Sequence, residues 1–347
     1  MTAQNSDNSL RLSVLDLSPV ASGSSGRDAL NNTLDLARLA DDLGYHRYWL
    51  AEHHNTALIA SGAPEVMIGH VASVTKRMRV GSGGVMLPNH APLKVAETFK
   101  TLEALHPGRI DLGLGRAPGT DSLTALALRG SREALNADDF PEQLSDLLSF
   151  FSGEFPRNHP FQRIVAIPNG VEAPEVWLLG SSDFSARLAG QLGLGFAFAH
   201  HINPEPAMDS LRLYREYFRP SDYFAEPHSF VGVSVICAPD DDEASTLAAP
   251  IDLALLRLVQ GRYSPLATVE EALAVDYSAQ EREAIRHNRQ RLFTGSPETL
   301  RARLSAFAKE AGVSELMITT MTHSHAHRRR SYELLAEAFQ IHQSAIK

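Results

Sequence analysis

One unit recurs along the 347 residues: a short continuous apolar run, a polar or glycine-containing loop, then an amphipathic helix. The runs read as strands at 11–17, 47–51, 78–87, 109–115, 175–180, 195–200, 229–238 and 315–321. Helices are expected at 28–43, 64–75, 92–105, 139–151, 183–192, 204–218, 240–258 and 330–345. A further helix is expected at 297–311, after an insertion at 259–292. Apolar residues fill the runs instead of alternating with polar ones, which is the pattern of parallel strands covered on both faces. Eight such units in a chain of this length point to a closed (β/α)8 TIM barrel with insertions, one domain over 1–347. An open doubly wound sheet is the competing arrangement. The proline-rich stretch 152–174 is expected to run over the surface.

Charge narrows the partners. The formal net charge is −9 and no basic run offers a phosphate-backbone footprint, so no nucleic acid is expected. The densest basic cluster, Arg328–Arg330, reads as a solvated helix face. The lone cysteine, Cys237, cannot form an internal disulfide and reads as a buried apolar residue in "FVGVSVICA". The opening "MTAQNSDNSL" has neither a basic nor an apolar leader region, and no run reaches membrane-spanning length. A cytoplasmic protein with no membrane partner is expected.

In a barrel of this kind the chemistry sits where strands end and loops begin. Strand 2 stops in Glu52, His53, His54 and Asn55. Histidines also follow strand 3 (His90), strand 6 (His200, His201) and strand 8 (His323, His325, His327), and a closed barrel would gather them at one rim. "HSHAH" could chelate a metal, but HExxH is absent and CxxC impossible, so no metal is expected. The competing reading of His323–His327 is a solvated loop before the last helix. In "GSSDFSARLAG", Ser182 and Ser185 open a helix after strand 5, where free N–H groups and hydroxyls suit an anion. The alternative is plain N-capping by Ser182, with Arg187 a surface residue. Arg116, on the neighbouring loop, is the natural counter-charge. "GLGRAPG" lacks the dinucleotide-binding spacing, and "GSGG" at 81–84 lacks the lysine of a P-loop.

Four segments together resemble the bacterial luciferase-like flavin monooxygenases. They are "YHRYWLAEHHN", "RVGSGGVMLPNHAPLKVAETFKTLEALHPGRIDLGLGRAPGTD", "LLGSSDFSARLAGQLGLGFAFAHHI" and "GSPETLRARLSAFAKEAGVSELMI". "RAPGTD" and "DDFPEQ" (138–143) place the chain nearest the single-chain, luciferase-α-like subgroup. The resemblance implies a barrel that binds reduced FMN, or alternatively the deazaflavin F420, at its C-terminal face. It implies His53 as the catalytic histidine, with His54 and Glu52 beside it. Adjacent strand residues point oppositely, so one histidine alone should face the flavin. The resemblance further implies a non-prolyl cis peptide at Gly83–Gly84 beneath the ring. It implies phosphate contacts from Arg116, Ser182 and Ser185, with a second arginine at Arg129 or Arg132, the latter taken as the candidate. Gly115 stands where luciferases carry a cysteine near the flavin, which argues against light emission. The implied activity is monooxygenation of a small organic substrate, with oxygen adding at the flavin C4a. Alternatives are F420-dependent hydride transfer and a non-catalytic flavin-binding protein. With no NAD fingerprint in the chain, a separate flavin reductase is expected as partner. A homodimer is expected from the resemblance. Val85, Met86 and Leu87 are apolar candidates for the ring or substrate wall, or for core packing.

Overall fold

The computed structural model describes residues 10–133 and 139–341. Asp138 of "DDFPEQ", the opening residues 1–9 and the expected helix end at 342–345 lie outside the described residues.

The strands are β1 (Arg11–Asp16), β2 (Arg47–Leu50), β3 (Arg79–Ser82), β4 (Val85–Met86), β5 (Ile110–Gly115), β6 (Glu175–Gly180), β7 (Gly195–Ala199), β8 (Ser229–Cys237), β9 (Leu292–Gly295) and β10 (Glu315–Thr319). They pair in parallel in the order β10–β1–β2–β3–β5–β6–β7–β8, and β8 returns to β10. This is a closed (β/α)8 barrel. The expected strand 78–87 is interrupted: β4 is a separate two-residue strand that pairs with β5 beyond Gly83–Gly84. β9 begins at the last residue of the expected insertion, Leu292, and is a strand that the apolar runs do not announce. It extends the sheet along Ser234–Cys237, beyond where β7 stops.

Alternate strand residues fill two cores. Val231, Val233 and Val235 face the helices. Leu15, Trp49, Trp177, Phe230 and Met317 fill the barrel interior. Trp49 meets Phe230 at 5.0 Å and Trp177 at 5.9 Å between ring centroids, both edge-on. Gly113 makes room for that ring: a Cβ there would stand 2.2 Å from the Ser82 carbonyl oxygen and 3.1 Å from Trp49. Below the rings, at the N-terminal ends of the strands, Arg47 pairs with Asp111 (2.8 Å), Glu175 (3.1 Å) and Glu315 (3.2 Å). Arg79 pairs with Asp111 (2.6 Å), and Trp49 Nε1 donates to the same carboxylate (2.8 Å). Buried charges need such partners. The network closes this end, so the accessible end is the C-terminal one.

Helix boundaries differ from expectation in three places, each with a local cause. The span 240–258 is two helices, Asp241–Leu247 and Ala249–Val259, because Pro250 has no N–H to continue the first. A helix, Ser122–Arg129, occupies what was read as loop; the Asp121 side chain caps it by accepting from Leu123 N and Thr124 N. The last helix starts at His325, with Ser324 as its cap, instead of at 330. That start corrects the reading of Arg328–Arg330 as a solvated face. Arg328 is buried and pairs with Asp16 at 2.5 Å, and Arg329 pairs with Asp35 at 2.5 Å. Cys237 is buried as expected, and burial pushes its thiol up to about 12. Among the described residues no helix is long and apolar enough to cross a membrane.

Candidate active site

The loop after β2 is pinned by its own backbone. Asn55 turns the chain at φ 51°, a left-handed geometry that asparagine tolerates. The chain then folds back so that Ser61 Oγ donates to the Ala51 carbonyl (2.5 Å) and His53 N–H donates to the Ser61 carbonyl (2.9 Å). Thr120 Oγ1 donates to the His54 carbonyl (3.2 Å), so the loop after β5 lies against the loop after β2.

Glu52 is the hub. Its buried carboxylate bonds His54 Nε2 at 2.8 Å and His90 Nε2 at 3.0 Å, and accepts from the Met86 N–H at 2.9 Å. Asn89 reaches it at 3.4 Å. Burial alone would raise the carboxyl, but the hydrogen bonds from His90 and His54 hold it below its usual range. The bond to Glu52 in turn raises His90 above the ordinary histidine value, against its burial. His90 was read only as a rim residue; its link to Glu52 spans 38 positions and no local pattern announces it.

His53 and His54 lie in the loop beyond β2, not in the strand, so strand alternation does not orient them; their partners differ. His54 faces Glu52. His53 has a buried Nδ1 with no hydrogen-bond partner among the described residues. Burial lowers its pKa, and His201 and His54 push it the same way, so the ring is neutral near pH 7. His201 lies after β7, with Nδ1 on the Gly232 carbonyl at 3.0 Å. A Cβ at Gly232 would stand 3.1 Å from that ring nitrogen. In the sequence His201 is only one of the rim histidines; its proximity to His53 arises from the fold.

The other histidines have different surroundings. His200 is buried against Phe293 and Phe307 in the outer core, and burial lowers it to about 4. His323 bonds Ser22 (3.2 Å) and His325 pairs with Asp35 (2.8 Å), so "HSHAH" is tied to the first helix region and is not a solvated loop. No group of three or more metal-ligating side chains occurs among the described residues.

The strand-end glycines sit at the same rim. The Gly83–Gly84 peptide is cis. A Cβ at Gly84 would meet the Gly113 carbonyl at 2.7 Å. Val85 and Leu87 are buried in the outer core, whereas Met86 is half-buried, its sulfur 2.8 Å from where a Gly115 Cβ would stand. Ser182 occupies the N-cap position of the helix Asp183–Leu192 but makes no capping bond, so its hydroxyl is not spent on the helix. Ser185 is buried in the first turn beside Gly180. The Arg116 guanidinium lies 4.3 Å over the Phe184 ring, which brings it to this helix start. Arg187 pairs with Asp183 at 3.5 Å on the surface. Of the two downstream arginines, Arg129 reaches the mouth, donating to Asn89 Oδ1 at 3.1 Å; Arg132 is exposed.

Comparison with known proteins gives a consistent picture. The family model described as "Luciferase-like monooxygenase" matches residues 10–315. An Escherichia coli protein named luciferase-like monooxygenase is 41% identical, covering 94% of this chain and 96% of its own. N-acetyl-S-alkylcysteine monooxygenase of Bacillus subtilis is 34% identical, covering 95% and 98%. The crystal structure of apo-MsnO8 superposes with a TM-score of 0.88 at 38% identity, over 96% of this chain and 98% of that one. The oxygenating constituent of 3,6-diketocamphane monooxygenase from Pseudomonas putida, in complex with FMN, shares the fold at TM-score 0.70 and 22% identity, over 95% and 98%.

Proposed function

We propose, for a chain that belongs to the luciferase-like monooxygenase family, a flavin-dependent monooxygenase that acts with reduced FMN and O2 on a small organic molecule. The observation that carries the reading is the half-buried, neutral His53, whose buried Nδ1 has no hydrogen-bond partner among the described residues. The residues present fit a flavin phosphate. Arg116, the uncommitted Ser182 hydroxyl and the first turn holding Ser185 would hold it. Gly83, Gly84 and Gly115 would present backbone to the ring. When bound, reduced FMN supplies the electrons that activate O2.

The chain's own residues would do the rest. His53 Nδ1 can accept a proton near neutrality and return it, the role of a general base poised by burial. Glu52, charged and bonded to His54 and His90, fixes the loop that carries His53 and holds Met86 by its N–H. The apolar interior under the rim keeps bulk water from the reacting atoms.

Anaerobic titration with FMN and F420, each oxidised and reduced, is the test. Selective binding of reduced FMN, followed by substrate-dependent O2 consumption, is expected. Selective F420 binding would replace the reading with hydride transfer; binding without turnover on any substrate would leave a flavin carrier. N-acetyl-S-alkylcysteines, the compounds named for a relative, head the substrate screen. A separate reductase is proposed to supply reduced FMN, so NADH alone should not reduce the loaded protein. A homodimer is proposed as well; sedimentation at micromolar concentration would show two chains together, and a monomer there rejects it. The cytoplasm is proposed as the site of action, where a lone buried thiol stays reduced.

A further inference from the structure

Arg291 stands immediately before β9, where the insertion rejoins the barrel beyond the end of β7. It is half-buried. Its guanidinium donates to two neutral oxygens, the Ile202 carbonyl (2.9 Å) and Asn288 Oδ1 (3.0 Å). Ile202 is the residue after His201, the imidazole that neighbours His53. Three other arginines of the same insertion have carboxylates: Arg282 with Asp276, Arg286 with Glu283, and Arg289 with Asp252. Arg291 has none among the described residues, and its burial lowers its pKa with no acid to offset it. A partly desolvated guanidinium without a counter-ion costs free energy unless an anion arrives. Its planar fork is suited to a carboxylate. The Glu52 carboxylate is engaged by hydrogen bonds to His90 and His54. The proposed phosphate cradle is built on other loops, those after β5 and β6.

We propose that Arg291 binds a carboxylate of the organic substrate at the barrel mouth, so that the substrates are small organic acids. This rests on the mouth being the substrate site of the monooxygenase proposed above. The guanidinium keeps its bonds to Ile202 and Asn288 and offers its remaining N–H groups to the anion. No bond is made or broken at this point; Arg291 is a specificity residue.

The test is calorimetry with the full chain loaded with oxidised FMN, and again without it. The probes are pairs of a carboxylate and its primary amide: N-acetyl-S-methylcysteine, 3-phenylpropanoate and hexanoate, each with its amide. At least one carboxylate should bind about tenfold more tightly than its amide. Arg291→Gln should remove that preference, Arg291→Lys should restore part of it, and amide binding should not move. FMN affinity should be unchanged in Arg291→Gln. The proposal is overturned if no pair favours the carboxylate, or if Arg291→Gln weakens both members equally, which would make the arginine a loop anchor. It is also overturned if FMN affinity falls instead, which would make Arg291 a cofactor contact. Because binding is read without turnover, failure of the oxygen chemistry would show separately, as absent O2 consumption with the carboxylate preference intact.

Discussion

Two adjacent histidines in this chain have different surroundings: His54 bonds Glu52, whereas His53 Nδ1 has no hydrogen-bond partner among the described residues. His53→Gln should lower kcat by about 10²–10⁴ while leaving FMN affinity within twofold, read by steady-state kinetics and titration. An equal loss of FMN binding would move His53 from proton handling to cofactor holding. The Glu52–His90 pair makes a pH prediction. His90 is raised above 6.5 when folded, so its contribution is full below 6.5 and is lost as pH rises through the higher folded value. Glu52 is lowered below 4.5, so its contribution is present above 4.5 and is lost as pH falls through the lower folded value. The Met86 amide, bonded to Glu52, should therefore show its greatest hydrogen-exchange protection between these values. His90→Gln should flatten the alkaline side, and an unchanged profile would reject the coupling. The residues legible in the sequence were those adjacent in it: Glu52, His53 and His54 announce themselves at a strand end. His90 and His201 were visible only as rim histidines, because their roles come from contacts made across the barrel mouth.

Among the elements, the last helix is held by charge. Arg328 inserts from that helix to Asp16 at the end of β1, and Tyr48 donates to the same carboxylate. Arg328→Met should cost about 3–5 kcal/mol by leaving Asp16 buried and unpaired. Adding Asp16→Asn should recover part of it, both read by urea unfolding; a loss below about 1 kcal/mol would mean that water reaches the pair. Gly113→Ala should cost about 1–3 kcal/mol, since neither the Ser82 carbonyl nor the Trp49 ring can retreat far. Strands were readable because continuous apolar runs are rare outside a doubly covered sheet. Arg328 was misread because a triple arginine looks the same whether one member turns inward or not; only the earlier helix start, set by Ser324, turns it inward. The break at Pro250 was available in the sequence, since proline lacks the donor the helix needs. β9 carries only two apolar residues, Leu292 and Phe293, before Thr294 and Gly295, too few to stand out as an apolar run.

At the scale of the whole molecule the two ends of the barrel are unlike. One is sealed by Arg47, Arg79, Asp111, Glu175 and Glu315; the other carries Glu52, His53, His54, His90 and His201. A carboxylate lost from the sealed end should therefore be felt in stability, with flavin affinity unmoved. Asp111→Asn leaves Arg47 and Arg79 short of a partner and should lower Tm without changing the FMN dissociation constant; a parallel fall in FMN affinity would show the two ends to be coupled. The seam of the barrel has a different consequence. β1 takes its register from β10, with Arg11 opposite Glu315, so the first strand made is completed by the last. Synthesis at about 5–20 residues per second separates the two by roughly 15–60 s. Over that interval the leading strand has one of its edges open on the ribosome. A nascent chain arrested before β10 emerges should thus engage holding chaperones or be clipped by protease near its beginning, and release should come as one late event. The pairing that closes the barrel in the finished protein is what leaves the growing chain with an open edge until its last barrel strand arrives.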